Sequence, residues 1–316
     1  MCIRDSYWLA RLALESGDFP AAQARYGEAA IQAAKAGDDV LAARIWSDCL
    51  VVLGYYRARA SDATLIRPAA EAALARCGDD PVVRGRFLNS LGTVVCECGH
   101  YEEAERCFRQ AATLYRDALG PDDPLVGSAT NNAGWVLHRL GRLSEARALH
   151  DQARAIWVRA FGPHHPMIAI ALNNLGELLL DLGDLPGARA VLEAAQAIRE
   201  RALPAKHPHL ALTRFNLGRV ATRQGRFVEA RALHERALAV RLEVLGPEHP
   251  DVADSLDGLG ELCLAEGDVD AALGHHERAG VLVGRACGVD HPRRAASAHH
   301  LAEVHRRLGR APTASS

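Results

Sequence analysis

Three sets of side chains in this sequence have types and spacings that could do chemistry: paired asparagines, histidines beside acids, and a cysteine cluster. Asparagines stand together at Asn131-Asn132 and Asn173-Asn174, and Phe215-Asn216 follows at the same interval. An amide carries donors and an acceptor, so it can pair with a peptide backbone in both senses without reading its side chains. The histidines invite a metal reading that their spacing does not support. His234-Glu235-Arg236-Ala237-Leu238 departs from the HExxH pattern, because Leu238 stands where the second histidine belongs. His165, His207, His249 and His291 each precede a proline, and Asp123 holds the same place, so their shared role is at a loop and helix start. Equivalent positions on neighbouring helices lie roughly 10 Å apart, too far for one ion whose bonds are about 2 Å long. His150, His234 and His276 share another register and read as packing residues of an amphipathic helix. On a helix, Cys96 and Cys98 would point to nearly opposite sides, so with Cys107 they read as small packing residues. No metal and no cofactor is therefore expected. No GxSxG elbow, phosphate loop or dinucleotide glycine fingerprint occurs, which leaves no catalytic residue to name.

The elements that must position these residues are written in the breakers. Pro124, Pro166, Pro208, Pro250 and Pro292 follow one another at a constant interval (166 − 124 = 42). The same interval carries Gly92, Gly134, Gly176, Gly218 and Gly260, then Gly99, Gly141, Gly183, Gly225, Gly267 and Gly309. Alanines repeat it too, at Ala104, Ala146, Ala188, Ala230 and Ala272 and at Ala111, Ala153, Ala195, Ala237 and Ala279. Each unit parses as two helices, one from about Pro124 to Leu140 and one from about Leu143 to Phe161, with a tight turn at Gly141-Arg142. Gly162 is expected to end the second helix in the left-handed conformation, Pro163 blocks continuation, and Pro166 suits the next first turn. In "ALNNLGELLL", Ala171 to Leu180, the asparagines and glycine are poor helix formers. Gly176 is justified if it lets two helices approach where a larger side chain would hold them apart.

Hydrophobic residues at 49% and charged ones at 24% of 316 residues fit a soluble globular protein. A formal net charge of −2 gives no field for nucleic acid or acidic membranes, so neither is expected as a partner. The longest apolar run, Cys49 to Tyr56, is interrupted by Gly54 and too short to span a bilayer. No secretory leader is expected before the first helix, and eight cysteines without a paired framework fit a reducing compartment. The cytoplasm is the expected location. Residues 1–6, Met-Cys-Ile-Arg-Asp-Ser, look like the translation of a transposon end used in preparing sequencing libraries, an assembly scar rather than biology.

These features resemble the tetratricopeptide repeats. The family's Leu-Gly, turn Gly, Ala, aromatic and Ala signature is matched in order by Leu91, Gly92, Gly99, Ala104, Phe108 and Ala111. The usual unit is about 34 residues; the longer unit here resembles the subtype of kinesin light chains, with "LGPEHPDVADSLDGLGEL" from Leu245 to Leu262 as its linking phrase. The resemblance implies an all-α solenoid, a right-handed superhelix of antiparallel helix pairs whose first helices line the concave side. About seven pairs and a final helix are expected. Upstream, Leu9, Gly17, Ala22, Tyr26 and Ala29 fit one repeat, and Leu50, Ala63 and Ala70 another, with Pro68 expected to kink its second helix. The organisation read from this is a scar over 1–6, divergent units over 7–81, a regular array over 82–309 and a tail over 310–316.

The implied function is a non-catalytic scaffold that binds a protein or peptide in the concave groove. By the likeness to kinesin light chains, the second asparagine of each pair, Asn132, Asn174 and Asn216, faces that groove. The alternative is that these amides bond neighbouring helices. Other residues in groove-facing register are Asn89, Asn131, Asn173, Trp135, Arg139, Glu177, Asp181, Phe215, Arg219, Arg223, Asp257 and Glu261, while Ser90, Gly258 and His300 continue the asparagine register. Trp135 and Phe215 read either as aromatic anchors or as packing between helices. The charges alternate, so a basic clamp for a C-terminal carboxylate is not expected, and they read equally as a solvated face. The block from Trp46 to Leu91 resembles the tetratricopeptide region C-terminal to the kinase domain of some bacterial serine/threonine kinases. A second reading is therefore the regulatory or substrate-recruiting part of such an enzyme, although no kinase motif is present in the chain. A third is a purely structural assembly module.

Overall fold

Proline at a helix start and glycine at its end punctuate the chain into helices of 13 to 19 residues. A computed structural model of the chain describes residues 3–56, 59–78, 80–286 and 291–309, which are helical with no strand among them. The helices are α1 (Ile3–Glu15), α2 (Phe19–Lys35), α3 (Asp39–Val51), α4 (Ala60–Arg76), α5 (Pro81–Glu97), α6 (Tyr101–Leu119), α7 (Pro124–Arg139), α8 (Leu143–Phe161), α9 (Pro166–Asp181), α10 (Leu185–Ala202), α11 (Pro208–Arg223), α12 (Phe227–Val244), α13 (Pro250–Glu266), α14 (Val269–Ala286) and α15 (Pro292–Arg307). They form seven successive pairs and a final helix. Two compact units, residues 1–174 and 175–316, divide the chain within α9. The tail over 310–316 and the first two residues of the expected scar lie outside the described residues.

The repeat boundaries follow from capping chemistry. Asp123 accepts from the Leu125 amide at 2.8 Å, and histidine does the same work in later repeats. His165, His207, His249 and His291 each accept through Nδ1 from the amide two residues on, at 3.1 to 3.3 Å. Each satisfies a donor that the first helical turn leaves orphaned, as their place before proline leads one to expect. Gly162 departs from expectation. Its φ of 81° is positive, but its ψ of 167° is extended rather than left-handed helical, a conformation open essentially to glycine alone.

Within a pair, a glycine of the first helix meets a large residue of the second. An added Cβ would lie 2.8 Å from Phe108 at Gly92, 3.0 Å from His150 at Gly134, and 2.5 Å from Leu192 at Gly176. It would lie 2.8 Å from His234 at Gly218 and 2.5 Å from His276 at Gly260. One register thus holds aromatic, aliphatic and imidazole side chains, all buried, and the close approach expected of Gly176 is met. Cys96 and Cys107 are buried in separate hydrophobic clusters, as packing residues.

The first unit is least regular at Val52–Tyr56, a π-helical segment between α3 and α4. Gly54 there would bring a Cβ to 2.9 Å from Val94 on α5, so only glycine allows the approach. Pro68 lies inside α4, which runs from Ala60 to Arg76 as one helix.

Candidate functional site

The residues expected to face a ligand sit on the first helices of the pairs, and each unit arranges them differently. In the first unit they bond one another along the chain of repeats. Asn132 on α7 donates through Nδ2 to Asn89 Oδ1 on α5 at 3.1 Å, and Asn174 on α9 donates to Asn131 Oδ1 at 3.3 Å. The same Asn131 oxygen lies 3.0 Å from His150 Nδ1 on α8. Burial pushes the His150 imidazole down to about 4, helped by His138; its neutral Nδ1–H donates to the amide oxygen.

This geometry corrects part of the expectation. Asn131 and Asn173 retain only 2% and 1% of their surface, so neither offers its amide to an outside ligand. The glycine at 134 is the physical reason on the Asn131 side: it draws α8 close enough for His150 to reach across. Asn89, Asn132 and Asn174 stay half-buried while forming the bonds between neighbouring helices that were the alternative reading. Trp135 is half-buried against the cluster of Phe108, Ala133 and Val136, and the Arg139 guanidinium lies 5.5 Å from its ring centroid. A second polar contact of this unit was not foreseen. Tyr7 on α1 donates to Asp48 on α3 at 2.9 Å, and Arg86 on α5 donates to the same carboxylate at 2.6 Å.

In the second unit charges replace the amides. Asn216 is 1% exposed and its Nδ2 has no hydrogen-bond partner, so it too is withdrawn from the surface. Arg219 lies 3.4 Å from Asp181 and 3.9 Å from Glu177, and Arg223 Nη1 donates to the Leu180 carbonyl at 2.8 Å. Phe215, half-buried, meets the His234 ring edge to face at 5.6 Å. The guanidinium groups of Arg241 and Arg219 lie 4.8 Å and 5.9 Å from its centroid. Phe215 thus lies against an imidazole and two guanidinium groups of the repeats themselves.

Asp257 is the centre of the last cluster. Its Oδ1 is 2.7 Å from His276 Nδ1 on α14 and 3.4 Å from His300 Nδ1 on α15. The other nitrogen of His300 is 3.7 Å from Glu261, one turn along α13. Burial alone would raise the Asp257 carboxyl, but its hydrogen bond to His276 and the nearby His300 ring outweigh that and hold it below its ordinary range. The Asp257 carboxylate beside it, at 3.4 Å, raises His300 above its ordinary value against the cost of burial. The argument that kept same-register histidines apart does not cover this trio, whose members come from three different registers. A sequence signal existed: His300 stands 43 residues after Asp257 (300 − 257 = 43), the offset that also joins Asn132 to Asn89 and Arg223 to Leu180.

No helix among the described residues is long and apolar enough to cross a membrane. A family model described as "Tetratricopeptide repeat" matches residues 84–157, 136–201, 168–242 and 209–279, and a second of the same description matches residues 6–28. No curated protein matches the chain. Among solved structures, a Rap protein complexed with Competence and Sporulation Factor shares 12% identity, with a TM-score of 0.71 over 97% of this chain and 93% of that one. A kinesin light chain from Podosopora anserina with nearly identical TPR-like repeats is 23% identical over 66% of this chain and 98% of its own, with a TM-score of 0.48. BtubC (BKLC) from P. vanneervenii is 22% identical over 78% of this chain and 90% of its own, with a TM-score of 0.47. The repeats matched in sequence coincide with the helix pairs built above, and the chain belongs to the tetratricopeptide repeat family.

Proposed function

We propose that the chain is a cytoplasmic, non-catalytic scaffold that holds a protein or peptide against the first helices of its repeats. The observation that supports this most is the row of half-buried amides in the first unit, Asn89, Asn132 and Asn174, which keep part of their surface beside buried neighbours such as Asn131 and Asn173. The bonds between neighbouring helices use only part of each amide's capacity, and a peptide backbone can use the donors and acceptors that remain. Trp135 beside Arg139, and the alternating charges of Glu177, Asp181, Arg219, Arg223 and Glu261, would add contacts that depend on the partner's side chains. A Rap protein with the same fold is complexed with Competence and Sporulation Factor, and the reading carries a ligand-holding use of that fold to this chain.

The test starts from a peptide selected by display against the full chain. The combined variant Asn89→Ala, Asn132→Ala and Asn174→Ala should weaken that peptide by about tenfold or more, at roughly 0.5–1.5 kcal/mol per lost hydrogen bond. Glu235→Ala with Arg236→Ala, on the exposed side of α12, should leave it unchanged. Equal affinity in all three proteins, with intact far-UV helical signal, would sink the reading.

A further inference from the structure

We propose that Asp257, His276 and His300 form a binding site for a zinc-class transition-metal ion, with Glu261 orienting His300. The three donors come from α13, α14 and α15, and their ligand atoms lie within 4.8 Å of one another. Bonds of about 2 Å in a tetrahedron separate ligand atoms by about 3.3 Å. The Asp257 to His300 separation of 3.4 Å already has that value, and the 2.7 Å contact to His276 must open slightly. Two imidazoles and one carboxylate are the donor set of open zinc sites, which leave a fourth position to water or an incoming ligand.

The surroundings support an ion more than a plain ion pair. His300 turns its second nitrogen toward Glu261 Oε1, 3.7 Å away and just beyond hydrogen-bond reach, so a small ring shift on binding would complete the carboxylate–histidine pairing that fixes ring orientation at metal centres. His276 is wholly buried, so its ring is held by packing, while Asp257 and His300 retain 16% and 27% of their side-chain surface and leave the ion a way in. The nearby cation is Arg219, which disfavours charge on His300, and it is drawn off by Asp181 and Glu177. On binding, the proton that neutral His276 carries on Nδ1 transfers to Nε2 as Nδ1 takes the ion, and a protonated His300 releases its Nδ1 proton to solvent. The proton of neutral His276 then resides on Nε2, which is buried without a hydrogen-bond acceptor. Affinity is therefore expected to fall about 10–100-fold short of sites in which every imidazole has its outer partner. This inference does not depend on peptide binding.

The full chain, stripped with a chelator, is titrated with Co²⁺ and followed in the visible, then with Zn²⁺ in competition with a chromophoric chelator. One equivalent of Co²⁺ should give the strong d–d bands of four-coordination, and Zn²⁺ should displace it. His300→Gln and Asp257→Asn should each weaken Zn²⁺ by about tenfold or more, and His299→Gln, at an exposed neighbour, should not. Replacement of buried His276 is avoided because it endangers folding. As a second measurement, long-range ¹H–¹⁵N spectra of the unaltered chain should show Nδ1 coordination at two histidines on adding Zn²⁺. Absence of stoichiometric binding, unchanged affinity in the His300 and Asp257 variants, or histidine spectra that Zn²⁺ leaves unmoved would each overturn the proposal.

Discussion

Gly176 on α9 and Leu192 on α10 are so close that a Cβ at position 176 would lie 2.5 Å from the leucine Cγ. The atom met is the branch point of a buried side chain, not a flexible end, so relief requires movement of the helix or a strained rotamer. Gly176→Ala gains about 1 kcal/mol of helix propensity and loses about 1–3 kcal/mol to overpacking, so it should lower stability. Gly27, inside α2, meets nothing within 4 Å, and Gly27→Ala should raise stability by about 1 kcal/mol. Urea unfolding of both variants checks the contrast, and a shift in the same direction for the two would refute it.

His234 shows the cost of an imidazole at the register where another repeat has Leu192. It is wholly buried, and neither ring nitrogen makes a well-formed hydrogen bond, with the Gly218 backbone as a weak polar contact. His234→Leu should stabilise the chain by about 1–3 kcal/mol at neutral pH, the cost of burying an unsatisfied polar group. Burial, with Arg219 and Arg241 nearby, pushes the imidazole down to about 4. The unfolded chain therefore binds the proton more tightly, and the contribution present above about pH 6.5 is lost as pH falls toward 4. The leucine variant should lose less stability than the parent between pH 6.5 and 4; parallel stability curves would contradict this.

The histidine caps carry the same pH sign by a different route. His207 accepts from an amide through Nδ1, which only the neutral ring can do, and burial with the Arg199 charge holds its pKa below the ordinary value. His207→Asp, the residue type found at Asp123, should keep the cap. At pH 7 it should be within about 1 kcal/mol of the parent, and at pH 5 it should be the more stable by about 0.5–1 kcal/mol. Thermal melts at the two pH values decide, and a variant that is less stable at both disproves equivalence of the two caps.

Arg241 is 1% exposed, and its Nη1 donates to the Asp251 carbonyl at 2.8 Å and to Ser255 Oγ at 2.7 Å. Its guanidinium also lies over Phe215. Arg241→Ala removes three partners at once and should cost about 3–5 kcal/mol. Arg241→Met, of similar length, should recover part of that by filling the space. Denaturant titration of the pair would expose a wrong assignment if alanine and methionine were equally well tolerated.

The sequence by itself determined the repeat: its interval, the helix ends, the histidine caps before proline and the small residues that let helices close. These rest on turn chemistry and on 3.6-residue periodicity, which act over a few residues and leave a local trace. Only the tertiary structure decided which amide of Asn131-Asn132 is buried, because that depends on how far α8 approaches over Gly134 and lets His150 bond Asn131. The same holds for Asn216 in its closed setting and for Asp257 meeting His276 and His300 from two other helices. Such contacts are set by helix rotation and side-chain rotamer across residues 19 and 43 apart (276 − 257 = 19; 300 − 257 = 43). A one-dimensional pattern assigns a residue to a face, but packing of the neighbouring helices decides what that face touches.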